Sequence, residues 1–169
     1  MSDFLPAFER MIVNEGGYRL HTVAGDRGGM TYAGISRRAH PGWTGWADLD
    51  AGAIPESERV RAFYRANYWD RLRLDEVQSQ RVARSIFDFG VNAGPGTAAK
   101  LAQIVVGVTP DGAIGPKTLA ALNMADPDRF ALAYALAKIA RYRDIVTRDR
   151  TQAKFLLGWI NRTLAEAAA

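Results

Sequence analysis

The chain of 169 residues contains no cysteine, which excludes disulfides and thiolate-bound metals alike. Its two histidines, His21 and His40, are too few and too widely spaced for an ordinary metal-ligand pattern. No G-x-S-x-G segment is present, so the usual setting of a serine nucleophile is missing. Apolar residues never continue for the ~18 positions that a membrane-spanning helix takes. The opening segment Met1-Ser2-Asp3-Phe4-Leu5-Pro6 has neither a basic nor an apolar signal region. Lys and Arg are not clustered among exposed aromatics, as a nucleic-acid face would have them. From these absences no metal site, no nucleic-acid partner and no membrane span are expected; the chain is further expected to be a monomer that needs no cofactor. Residence in the cytoplasm of the cell that makes it is expected as well.

What is present is the make-up of a globular protein, 48% hydrophobic and 24% charged. The length suits one domain, or a catalytic lobe with a small appended module. A net charge of +4 reads either as a well-solvated surface or as attraction to an anionic polymer such as cell wall.

The periodicity is mostly helical. Phe4, Leu5, Phe8, Met11 and Ile12 predict a helix over residues 3–15, capped by Ser2 or Asp3. Glycines at 16, 17, 25, 28, 29 and 34 predict a tight hairpin or looped segment. Residues 41–54, with Trp43 and Trp46, read as a surface connection whose tryptophans are exposed. A helix then opens at Pro55 and runs towards Trp69. Others follow over about 79–91, after a Thr97 cap, from Pro116, from Pro127 to about 149, and around Phe155, Trp159 and Leu164. No repeat or low-complexity linker divides the chain.

Glu15 lies four residues after Met11 and three after Ile12, so it continues the apolar stripe of the first helix. Apolar surroundings and the negative end of a helix dipole both favour the protonated form of a carboxylic acid. Such an acid suits proton donation to a glycosidic oxygen. The other reading is a helix-end glutamate pointing to water. Gly16-Gly17 would let a sugar chain pass close to the backbone, and Tyr18 could stack on a ring. Downstream, Asp26 and Thr31 bring a second carboxylate and a hydroxyl that a returning loop would set across from Glu15. There they would hold an attacking water or stabilise the sugar. Asp26 could equally be a turn residue paired with Arg27.

Glu15-Gly16-Gly17-Tyr18, followed by Asp26-Arg27-Gly28-Gly29 and Thr31-Tyr32-Ala33-Gly34-Ile35, resembles the E-G-G-Y…D-x-G-G-x-T-x-x-G-I signature of the glycoside hydrolase family 108 N-acetylmuramidases. Tyr64, Tyr68-Trp69-Asp70 and the run from Phe87 through Asp88 and Asn92 to Pro95 resemble further segments of that family. The resemblance implies a mostly α, lysozyme-like α+β fold, with a small hairpin lobe and a helical lobe. It implies Glu15 as general acid, with Asp26 and Thr31 positioning water. Many members are phage endolysins, which implies peptidoglycan glycan strands as substrate and a separate pore-forming holin for release. A lytic transglycosylase or a non-catalytic wall-binding protein are the alternatives.

Further substrate-binding candidates are Tyr32, Tyr68, Trp69, Asp88 and Asn92. Tyr68 and Trp69 could floor a sugar subsite or serve the core. Asp88 and Asn92, four apart on one helix face, could line the cleft or hold the helix end. Residues 108–118, with Asp111-Gly112 and Gly115-Pro116-Lys117-Thr118, resemble the D-G-x-x-G-P-x-T core of predicted peptidoglycan-binding segments. As local structure they are a turn and a Pro-started helix. The expected division is a catalytic region over 1–94 and a helical C-terminal region over 95–169, packed as one unit.

Overall fold

A computed structural model describes residues 1–22 and 29–168. It is mostly α with one small antiparallel sheet, the class expected. The chain packs as two compact units, Asp3–Arg71 and Met1–Ser2 with Leu72–Ala169.

The first unit begins with α1 (Phe4–Asn14), whose Asp3 cap accepts from the Leu5 amide at 3.0 Å. Phe4, Phe8, Met11 and Ile12 are buried at the predicted spacing. The helix ends at Glu15 in a paired termination: the Gly16 amide donates to Val13 at 3.1 Å and the Gly17 amide to Ile12 at 2.8 Å. Both glycines have positive φ, 87° and 77°. Their role is thus to end the helix in left-handed backbone, which a side chain would resist. Nothing lies within 4 Å of where a side chain would stand on either glycine, so the backbone there is also open to approach.

Strands β1 (Leu20–Thr22), β2 (Met30–Tyr32) and β3 (Ile35–Ser36) form an antiparallel sheet in that order. Thr31 pairs with His21 on one side and Ser36 on the other. Tyr32 pairs with Ile35 across the two-residue turn Ala33-Gly34, where φ is 49° and 78°. Two positive φ values are what a tight hairpin turn requires.

Residues 41–54 are not merely a surface connection. They contain α2 (Gly45–Asp50), and Trp43 and Trp46 are only 9% and 3% exposed. The two indoles pack edge to face at 5.0 Å, Tyr32 stacks on Trp43, and the Trp46 N–H donates to the His40 carbonyl at 2.8 Å. Burial with a satisfied N–H is the usual fate of tryptophan in a small core.

The next helix, α3 (Ser57–Tyr64), opens two residues later than Pro55 and passes into a π-helical turn over Arg65–Trp69. There the Asp70 amide reaches back five residues to the Arg65 carbonyl at 2.9 Å. Trp69 is fully enclosed, with its ring 5.6 Å from Phe4.

The second unit is helical: α4 (Gln80–Ala93), α5 (Pro95–Val105), α6 (Pro116–Met124), α7 (Pro127–Arg148) and α8 (Ala153–Ala167), with short 3-10 turns at Leu74–Glu76 and Arg150–Gln152. Ser79 caps α4 and Asp126 caps α7 through their side chains. Thr97, expected as a cap, lies instead in the first turn of α5. Gly94 stands at the cap and Pro95 takes the first helical position. The core centres on α4, whose Val82, Ile86, Phe87 and Phe89 are buried. Phe89 meets Tyr134 of α7 edge to face, and the Tyr134 hydroxyl donates to the Ala98 carbonyl of α5 at 3.0 Å. Among the described residues no helix is long and apolar enough to cross a membrane.

Candidate active site

Glu15 stands at the end of α1, half-buried, where the glycine pair turns the chain towards β1. The β2–β3 turn lies directly against it. A methyl placed on Gly34 would sit 3.2 Å from both Cβ and Oε2 of Glu15, and 2.5 Å from the Tyr64 hydroxyl. Only glycine leaves room for the carboxylate and the phenol at that turn. The Tyr64 hydroxyl donates to the Ala33 carbonyl at 2.8 Å, pinning the turn from the side of α3.

One turn further on, Tyr68 stacks on Tyr64 with ring centroids 5.7 Å apart. Burial raises the Tyr68 phenol above its ordinary pKa, and the negative charge of Glu15 raises it further against the opposing Arg71. The phenol therefore keeps its proton beside Glu15 and can donate. Glu15, Gly34, Tyr64 and Tyr68 thus form one cluster drawn from α1, the hairpin turn, α3 and the π turn.

Four other carboxylates of this unit are paired with arginines. Asp50 is held by Arg37 through two bonds of 2.6 and 2.8 Å, which lower its pKa. Asp48 faces Arg59 at 3.0 Å, Glu58 faces Arg61 at 3.3 Å and Asp70 faces Arg65 at 3.4 Å. Glu15 alone among these lies between a glycine turn and a tyrosine pair.

Thr31 occupies the middle of β2, half-buried, and by strand alternation its side chain leaves the face opposite Tyr32. Tyr32 itself is 3% exposed, and burial with the nearby Tyr18 phenol raises its pKa. Tyr18 is 43% exposed and open to a ligand. Asp26 lies outside the described residues. Two expectations are corrected. Trp69 has no exposed surface on which a sugar could stack, because its indole fills the core against Phe4. Asp88 is 6% exposed and held by two bonds from Arg162 of α8, at 3.0 and 3.1 Å, in the second unit. It ties α8 to α4, and Asn92, four residues on, is exposed. Gly34 and Tyr64 are site residues that the sequence offers only as motif positions. Their signal was the fixed distance of Gly34 from Thr31 and the i, i+4 spacing of Tyr64 and Tyr68.

In the second unit, the Asp111-Gly112 segment is organised by Gln103, 1% exposed. Its amide nitrogen donates to Asp111, to the Ala113 carbonyl and to Thr118 at 2.7, 3.0 and 3.1 Å, and its oxygen accepts from the Gly112 amide at 2.9 Å. The D-G-x-x-G-P-x-T residues therefore build a turn around a buried glutamine. Among the described residues no group of His, Cys, Asp and Glu could hold a metal ion.

The glycosyl hydrolase 108 family model matches residues 8–94, and a predicted peptidoglycan domain matches residues 97–164. The solved structure of SagA from Brucella abortus is similar, at 28% identity and a TM-score of 0.74, over 98% of this chain and 91% of that one. Comparison with curated protein sequences finds no match. The 8–94 match contains the whole Glu15, Gly34, Tyr64 and Tyr68 cluster, and the chain belongs to the glycosyl hydrolase 108 family.

Proposed function

We propose that this peptidoglycan hydrolase is an N-acetylmuramidase that cleaves the β-1,4 bond between N-acetylmuramic acid and N-acetylglucosamine, with Glu15 as general acid. The observation that carries the reading is the placement of Glu15 against the Gly34 turn and the Tyr64–Tyr68 pair. The family membership and the peptidoglycan-domain match supply the substrate class.

In the reaction the Glu15 carboxyl gives its proton to the glycosidic oxygen as the C–O bond to the anomeric carbon breaks. Water then adds to that carbon and its spare proton is taken up by a carboxylate. Asp26 and Thr31 are assigned to holding that water. The Tyr68 phenol, whose pKa is raised, stays neutral and so adds no second negative charge to the carboxylate left by proton transfer. No step calls for a metal or cofactor.

An endolysin role accompanies this reading: a monomer held in the host cytoplasm until a holin lets it reach the wall. Product masses from purified peptidoglycan test the chemistry. Fragments carrying one added water and a reducing muramic acid support the muramidase. An anhydro-muramic end would make it a lytic transglycosylase. Intact wall with saturable binding would make it a binding protein.

A further inference from the structure

The second unit carries thirteen Lys and Arg against nine Asp and Glu, so the whole net charge of +4 belongs to it and the first unit is balanced. Within that unit α7 distributes its charge in an uncommon way. Between Arg129 and Arg141 its one charged residue is Lys138, which points inward, its ammonium 2.6 Å from Glu166 and 4.7 Å from the centre of the Tyr134 ring. The outward positions of the same turns hold Leu132, Ala133, Leu136 and Ala140, with the two leucines 59% and 68% exposed. A surface helix ordinarily turns its charges to water and its aliphatic side chains to the core.

The apolar strip continues onto α5. Two concavities follow the α5–α7 seam, one of about 430 Å³ between Val105, Met124, Arg129 and Ala133, the other of about 330 Å³ between Leu101, Ile104, Ala140, Arg141 and Arg148. Ile104 is itself 58% exposed. Arg129, Arg141 and Arg148 succeed one another over about 28 Å of helix. Among the described residues none of these three guanidiniums has a hydrogen bond or ion pair. The carboxylates beside them are engaged: Asp126 accepts from the Asp128 and Arg129 amides, and Asp144 accepts from Arg143.

Protruding aliphatic side chains on a strip edged by free guanidiniums suit a partner that is apolar and anionic at once. A second copy of this chain fits poorly, because it would bring arginines to arginines with no spare carboxylate between them. A bilayer of anionic lipid fits: its phosphates meet the guanidiniums, while Ile104, Leu132 and Leu136 enter the boundary of the acyl chains. Bacterial wall lies against a membrane, so a peptidoglycan hydrolase works within reach of one.

We propose that the α5–α7 face docks on an anionic membrane surface. The setting beside the wall rests on the hydrolase reading, whereas the strip and its arginines do not.

The test uses the full chain, sedimented with vesicles of phosphatidylcholine alone or of the same lipid with about 30% phosphatidylglycerol. The chain should bind the anionic vesicles and leave the neutral ones. Arg129→Gln, Arg141→Gln and Arg148→Gln should each weaken binding about fivefold. The pair Leu132→Ser and Leu136→Ser should weaken it by at least about tenfold. These side chains are at the surface, so the variants should keep the parent's circular dichroism. Leu157→Ser with Leu164→Ser, at exposed leucines of α8 outside the strip, should leave binding unchanged. Failure to sediment with anionic vesicles at low salt would overturn the proposal. So would a loss caused by the arginine but not the leucine substitutions, which would mark a contact for any polyanion, such as an acidic protein helix. Equal weakening by the α8 pair would overturn it too. The vesicles contain no peptidoglycan, so failure of the parent chain to cleave wall would sink the catalytic reading and leave this measurement interpretable.

Discussion

Gly34→Ala is the substitution that most sharply probes how the site is held. Gly34 has φ of 78°, and a non-glycine residue in left-handed backbone costs roughly 1–2 kcal/mol. The new methyl would also stand 2.5 Å from the Tyr64 hydroxyl, well inside contact distance. To relieve that contact the phenol must leave the Ala33 carbonyl, stranding a polar pair whose residues are 1% and 0% exposed. An unmade buried hydrogen bond costs about 1–3 kcal/mol. The two effects together predict a loss of about 2–5 kcal/mol in urea unfolding, a large share of the roughly 5–15 kcal/mol of an ordinary domain. The same methyl meets Glu15 Oε2 at 3.2 Å and pushes the carboxylate aside. Misplacement by about 1 Å can reduce turnover on the order of 100-fold, which release of soluble muropeptides would measure. Tyr64→Phe removes the oxygen that the methyl strikes. In that background Gly34→Ala should therefore cost at least ~1 kcal/mol less, giving a non-additive double-mutant cycle. Additive effects, or a Gly34→Ala protein with parental stability and activity, would refute this account of the turn.

Other outcomes follow from the same structure. Trp69→Ala empties a fully enclosed site and should lower stability by about 3–5 kcal/mol in denaturant titration, with sugar binding to the folded fraction unchanged. Asp88→Ala removes the two hydrogen bonds that Asp88 accepts from Arg162. Because Arg162 is a quarter exposed, the loss should be roughly 2 kcal/mol, below the 3–5 of a fully buried pair, and turnover at permissive temperature should be retained. Tyr68, Tyr134 and Tyr142 all have pKa values raised above 10.0 by burial. The unfolded chain therefore loses these protons first, so their contribution is full below pH 10 and is lost as pH rises above it. Unfolding free energies measured between pH 8 and pH 11 should show that decline only at the alkaline end.

Most helices were legible in the sequence because they carry their own local signals, whereas α2, without a side-chain cap, lay inside the stretch expected to be a surface connection. Asp3, Ser79 and Asp126 cap where short polar side chains precede apolar periodicity, and Pro116 and Pro127 begin helices whose first amides need no partner. Thr97 misled because Gly94-Pro95 already supplies a start, so the threonine was left inside the first turn. Trp43 and Trp46 misled for a different reason. Neighbouring Gly and Pro residues mark a loop, but whether that loop covers a core depends on contacts with Tyr32 and Phe63 that no local pattern reveals. The placement of Glu15 on the apolar side of α1 was readable from its spacing to Met11 and Ile12. Its neighbours Tyr64 and Tyr68 lie some fifty residues away, and only folding brings them to the carboxylate. Asp88 shows the converse: a motif aspartate whose partner, Arg162, lies 74 residues on in the last helix.

The proposed reaction turns on one proton of one carboxyl group. Glu15→Gln keeps the size and hydrogen-bonding reach of the side chain but cannot supply that proton. Muropeptide mass spectrometry on purified peptidoglycan, comparing the parent with Glu15→Gln, is the most direct test. Reducing muramic acid ends are expected from the parent and none above background from a folded Glu15→Gln protein. Release of the same fragments at a comparable rate by Glu15→Gln would contradict it.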